Sequence, residues 1–214
     1  GRIAINMHPY RLPMAGYVSD VERLTIEDAR AYYASHYAPG NAVLTIAGDF
    51  DLTQARALVT RTFVDVPARP VARPHYTVEL AQRGARRTEL SGPVDKQYFQ
   101  LAYPSPAASS PDFPAFLLLQ QILGGTPGLN PRQSGWSGTD VTAGSRLSGA
   151  TGSIAAWLPA THDPFLFMIN GSIDAKADRT AVEREIARRI GRLREEPIAA
   201  AELTKAKAAV TRVL

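Results

Sequence analysis

Apolar residues recur along this chain in a helical rhythm and a strand rhythm, and the changes between them predict the elements. Residues 1–23 are irregular, punctuated by Pro9, Pro13 and Gly16. Thr25 reads as a helix N-cap, with Glu27 and Asp28 in the first turn, where the helix dipole favours carboxylates. Ala29, Tyr32, Tyr33 and His36 then fall on one helical face, and Pro39-Gly40-Asn41 ends the run. Ala42–Ala47 is apolar and β-branched at its centre, the pattern of a buried strand. After the turn at Gly48-Asp49-Phe50-Asp51, Asp51 and Gln54 make a capping-box-like start. The helix they open should bury Leu52, Ala55, Val59 and Phe63.

The rhythm stops at Pro67-Ala68-Arg69-Pro70-Val71-Ala72-Arg73-Pro74, which reads as an extended linker. Beyond it, strands are predicted at Tyr76–Leu80, Thr88–Leu90 and Gln97–Tyr103. Asp112 reads as the cap of a helix with Pro114 in its first turn. Phe116, Leu117, Leu119, Gln120 and Leu123 are on that helix, and Gly124-Gly125 ends it. Residues 124–152 form a Gly-rich loop. Strands follow at Ser153–Leu158 and Phe165–Ile173. Asp178 then caps a helix with Val182, Ile186, Ile190 and Leu193 on one face. Pro197 breaks that helix. A last one starts near Ala200, with Leu203, Ala206, Val210 and Val213 inward. The amphipathic pattern is still running at Leu214 and the chain opens as abruptly, so the sequence reads as a piece cut at both ends from a longer polypeptide.

Composition narrows the chemistry. The chain has 214 residues, 45% hydrophobic and 21% charged, which is ordinary globular usage. No apolar run approaches the roughly eighteen residues of a membrane span. With no cysteine, disulfides, zinc ribbons and thiol catalysis are excluded. The formal net charge is +4, and Arg188, Arg189, Arg192 and Arg194 are interleaved with Glu183, Glu185, Glu195 and Glu196. That pattern favours an ion-paired helix face over a nucleic-acid surface. The histidines are His8, His36, His75 and His162. No two are close enough to hold one ion from a single helical turn, and neither H-E-x-x-H nor H-x-x-E-H occurs. There is no G-x-S-x-G, and Gly124-Gly125-Thr126-Pro127-Gly128 follows a helix, the reverse of a phosphate cradle.

Four segments in order carry a family likeness: His8-Pro9-Tyr10-Arg11-Leu12-Pro13-Met14-Ala15-Gly16, Asp20–Asp28, Tyr33–Leu44 and Gly48-Asp49-Phe50-Asp51. Together they resemble the M16 zinc metallopeptidases, the family of insulin-degrading enzyme, pitrilysin and mitochondrial processing peptidase. Leu123-Gly124-Gly125, Ser145-Arg146-Leu147 and Ala201–Lys207 resemble later landmarks. The resemblance implies an α+β fold, an antiparallel or mixed sheet with helices packed on one side, here truncated at both ends. It implies the end of a first domain at 1–66, a linker at 67–75 and part of a second domain at 76–214. In such proteins, pairs of domains enclose a chamber for unfolded peptides. The family's zinc motif precedes the His-Pro-Tyr landmark, so the resemblance puts the metal site upstream of this chain and carries over no catalytic or metal-binding residue. Zinc belongs to the implied parent enzyme.

By the same resemblance, Gly124, Gly125 and Arg146 are candidate substrate-binding residues. Active members also carry a Tyr seven residues after an Arg in the second domain. Here Tyr103 is the last tyrosine, and the strand at Ser153–Trp157 stands where that Tyr would be. Two readings follow: the peptide-chamber wall of a zinc endopeptidase, or a non-catalytic M16-like subunit that binds peptides and pairs with an active one. The expected partners are a peptide or unfolded polypeptide, and either the rest of the same polypeptide or a second M16-like subunit. Nucleic acid and membrane are not expected, and the bacterial periplasm is favoured over the cytoplasm.

Overall fold

The computed structural model describes residues 3–13, 15–68, 77–124, 146–147 and 153–212. Most of the Gly-rich loop, together with His75, Gly125 and Val213, lies outside them. The chain divides into two compact units, Gly1–Thr88 and Glu89–Leu214, so the boundary falls after the Pro-rich stretch.

Unit 1 contains three α-helices among its described residues: α1 (Val18–Val21), α2 (Ile26–His36) and α3 (Leu52–Phe63). Local side-chain chemistry starts the longer two. Thr25 Oγ1 accepts from the Asp28 N–H at 3.1 Å and Asp28 Oδ2 accepts from the Thr25 N–H at 2.9 Å, a reciprocal capping box. The Thr25 hydroxyl, donating to Asp28 Oδ2 at 2.7 Å, and then the Thr25 N–H hold the Asp28 carboxyl below its ordinary range. Asp51 Oδ1 accepts from the Gln54 N–H at 2.7 Å, as its position in the sequence predicts. The Glu79 carboxylate gathers three successive backbone N–H groups, Asn6, Met7 and His8, at 2.8 to 3.0 Å. Led by the His8 bond, they pull its pKa down to about 2.

Burial in unit 1, and at Leu90 just inside unit 2, departs from expectation. None of the described residues of 42–47, 77–80 and 88–90 is in a strand. Val43 is 95% exposed, and Leu44, Ile46, Val78, Leu80 and Leu90 are exposed too. A strand is secured by its ladder partner, and no described residue supplies one here. Leu52 and Phe63 of α3 are likewise exposed. On α2 the aromatic rings stack along the helix instead of entering a core, Tyr32 on His36 at 4.2 Å and Tyr33 on Tyr37 at 4.9 Å.

Unit 2 is an α+β layer. Strands β1 (Lys96–Ser105), β2 (Ser153–Trp157) and β3 (Phe165–Asp174) form an antiparallel sheet in the order β1-β3-β2. Register sorts the side chains by face. Leu101 opposes Ile169, which opposes Ala156; Tyr103 opposes Phe167. That face meets Phe113 and Leu123 of α4 (Phe113–Leu123), Leu147, and Ile186 of α5 (Arg179–Glu195) in one core. The last helix, α6 (Ala200–Thr211), packs against α4. Asp178 Oδ1 accepts from the Thr180 and Ala181 N–H groups at 2.9 and 3.1 Å, which sets the start of α5. Asp112 does not cap α4 with its side chain, contrary to expectation. Its backbone is already helical, and Ser110 Oγ accepts its N–H at 3.3 Å. No described helix is long and apolar enough to cross a membrane.

Candidate functional site

The sequence marks Gly124, Gly125 and Arg146, and the structure describes the first and the last. Gly124 sits at the C-cap of α4 with φ 107°, in the left-handed region that glycine adopts without strain. Its N–H donates to the Gln120 and Gln121 carbonyls at 3.1 and 3.3 Å. Gly125 lies outside the described residues.

Arg146 ties three helices together. Its N–H donates to the Ile122 carbonyl at 3.0 Å, placing it beside the end of α4. Its carbonyl accepts from Arg189 Nη1 of α5 at 3.2 Å. Its guanidinium grips Glu202 of α6 through Nε and Nη2, at 2.9 and 2.8 Å. Glu202 holds Arg146 above its ordinary pKa, and Arg146 holds Glu202 below the usual carboxylate range. The neighbouring Leu147 is wholly buried, so backbone, charge and apolar packing fix the same point. Arg146 also lines a cleft of about 360 Å³ with Arg188, Arg189, Arg192 and Glu196. The ion-paired helix face expected of this region is present: Glu185 takes Arg188 and Arg189, and Glu196 takes Arg192. Sequence reasoning missed the Arg146–Glu202 pair, because partners 56 residues apart share no local pattern.

The second surface is the sheet face turned away from the core. Along it lie Tyr98, Gln100 and Ala102 of β1, Met168, Asn170 and Ser172 of β3, and Ala155 and Trp157 of β2. Gln100 Nε2 donates to Asn170 Oδ1 at 2.8 Å, a cross-strand amide pair, and Tyr98 is exposed beside it. Ser153, seven residues after Arg146, begins β2 opposite Ser172.

The histidines are separately placed. His8 is buried, and its Nδ1 accepts from the Tyr10 N–H at 3.2 Å. Nδ1 of His36 shares a hydrogen bond with Ser35 Oγ at 2.7 Å, and Nδ1 of His162 is 3.2 Å from Asp163. Among the described residues no three His, Cys, Asp or Glu are grouped to hold a metal ion, so the donors present do not fit zinc.

One antiparallel sheet with helices packed on one face, and no described metal-ligand cluster, define an α+β domain whose recognisable surfaces are an arginine cleft and a sheet face that is open along β1 at Tyr98, Gln100 and Ala102. Residues 23–210 match the family model described as the peptidase M16 inactive domain, and the chain belongs to that family. It is 27% identical over 206 residues to the zinc protease PqqE of Helicobacter pylori, covering 94% of this chain and 44% of that protein. An uncharacterised zinc protease of Streptomyces coelicolor is 28% identical over 210 residues, covering 91% and 45% respectively. The chain thus spans about half the length of these curated relatives. Its fold is similar to that of a protease from Helicobacter pylori, with TM-score 0.80, 22% identity, and 98% of this chain and 49% of that one covered. It is also similar to a peptidase M16 inactive domain from Pseudomonas fluorescens, with TM-score 0.73, 21% identity, and 97% and 48% covered. The M16 resemblance and the α+β fold expected from the sequence are both confirmed.

Proposed function

We propose that this chain forms part of the peptide-chamber wall of a zinc-dependent M16-type endopeptidase and supplies substrate-binding surface without the metal site. The observation that carries this reading is the match of residues 23–210 to an M16 domain described as inactive, beside zinc proteases about twice as long. The open sheet face suits the role. Tyr98 offers a flat apolar ring, and the Gln100–Asn170 pair offers amide donors and acceptors to a peptide of any sequence. Arg146 and Gly124 serve it from behind by fixing where the chain leaves and rejoins α4.

The test is binding of an unfolded peptide to the chain and to the double variant Tyr98→Ala/Gln100→Lys. Both side chains are exposed, so thermal unfolding should be unchanged while affinity falls about tenfold, which is about 1.4 kcal/mol. Equal binding by the variant would remove the open face from the account. One observation favours the alternative, a non-catalytic subunit that binds peptides and pairs with an active one: Ser153 stands seven residues after Arg146, where active members resembling this chain carry a Tyr. Peptidase activity reconstituted by adding a separate active subunit would support that alternative. Activity restored by the remaining half of one polypeptide would support the first reading.

A further inference from the structure

Three arginines of α5, Arg188, Arg189 and Arg192, line the cleft of about 360 Å³ with Arg146, and Glu196 is the one lining carboxylate among the described residues. Cations so close repel one another unless carboxylates hold them in place. Glu185 takes Nε and Nη2 of Arg188 at 2.8 Å each, and Nε of Arg189 at 2.6 Å. Glu196 takes Nε and Nη2 of Arg192 at 2.9 and 2.8 Å, and Glu202 takes the same edge of Arg146. Each two-point pair occupies the Nε–Nη2 edge of its guanidinium and leaves the Nη1 amino group over. The Nη1 groups of Arg146, Arg188 and Arg192 have no acceptor among the described residues.

We infer that this cleft is an oxyanion site that takes a carboxylate carried by a peptide, from an acidic side chain or a free C-terminus. Guanidinium donors match the plane of a carboxylate, and the unused Nη1 groups of Arg146, Arg188 and Arg192 supply them. The rim glutamates have already fixed the arginine rotamers, so less side-chain freedom is lost when the ligand arrives. Arg188 and Arg192 are 57% and 50% exposed, which leaves the cleft open to solvent. The peptide as carrier rests on the function proposed above; the oxyanion chemistry does not.

The experiment follows the arginine Nε–Hε resonances of the whole chain by NMR at low ionic strength, where surface charge is least screened. The probes are inorganic phosphate, an unfolded peptide with a free C-terminus, its C-terminal amide, and the amide with one interior glutamate. Phosphate and the carboxylate-bearing peptides should shift the Arg146, Arg188, Arg189 and Arg192 signals saturably, with the plain amide at least about tenfold weaker. The two carboxylate-bearing peptides separate C-terminus from side chain as the source. The double variant Arg188→Gln/Arg192→Gln should lose the shifts with its circular dichroism unchanged. No shift with any probe, or shifts that survive the double variant, would overturn the site. Equal affinity for acid and amide peptides would overturn the carboxylate assignment. Shifts with phosphate but with no peptide would contradict the peptide-binding function and leave the oxyanion chemistry standing.

Discussion

The two units meet the same sequence rhythm with opposite outcomes. In unit 2 the sheet and α5 find a facing surface: Ile169, Leu147 and Ile186 are all at 0% exposure in one core. In unit 1 equally regular periods stay open, from Tyr32 and Tyr33 on α2 to Leu52 and Phe63 on α3. Capping is as good in unit 1 as in unit 2, as Thr25 with Asp28 and Asp178 with Thr180 show. Local chemistry therefore starts a helix wherever the sequence provides it. Burial needs a second surface, which α2 and α3 do not find among the described residues of unit 1.

Core truncation should separate the units most sharply. Ile186→Ala removes a wholly buried side chain and should cost about 2–5 kcal/mol in denaturant melts. Val43→Ala should change stability by no more than about 0.5 kcal/mol. A large loss at Val43 would mean that unit 1 has a core of its own and would break the comparison.

A smaller effect is expected at the anchor of unit 2. Arg146→Ala leaves Glu202 without its cation and the turn at Leu147 less fixed. The pair is partly exposed, so the loss should be about 1 kcal/mol, well below that of a buried pair. Arg192→Ala, on the exposed face, should leave the melt unmoved. Equal losses from the two variants would show that Arg146 has no anchoring role.

The smallest effect is confined to unit 1 and to acid. Glu79 has a folded pKa of about 2, below its ordinary value of 4.5, so its stapling of the N-terminal loop is fully present above about 4.5. The contribution falls away as pH drops from about 4.5 through about 2. Amide resonances of Asn6, Met7 and His8 should therefore titrate together with a midpoint near 2, and Glu79→Gln should abolish that transition. A midpoint near 4.5 would show that the three N–H bonds do not persist in solution.

The sequence made legible whatever depends on neighbours in the chain. Thr25, Asp51 and Asp178 cap as their positions predict, Gly124 ends α4, and the strands β1, β2 and β3 lie where the alternating pattern puts them. It misled at Ala42–Ala47, whose composition is that of a buried strand but which has no ladder partner among the described residues. It also misled at Asp112, which holds the N-cap position of α4 but makes no side-chain cap bond. The candidate site was legible only in part. Arg146 could be marked by family likeness, whereas its grip on Glu202 and Arg189 exists only once α4, α5 and α6 have packed.

Titration of an unfolded peptide into the chain, with and without a metal chelator, tests the central claim most directly. Saturable binding of equal strength in both conditions is predicted, since the surfaces that would hold the peptide need no zinc. Binding that disappears with the chelator, or no binding in either condition, would contradict the account.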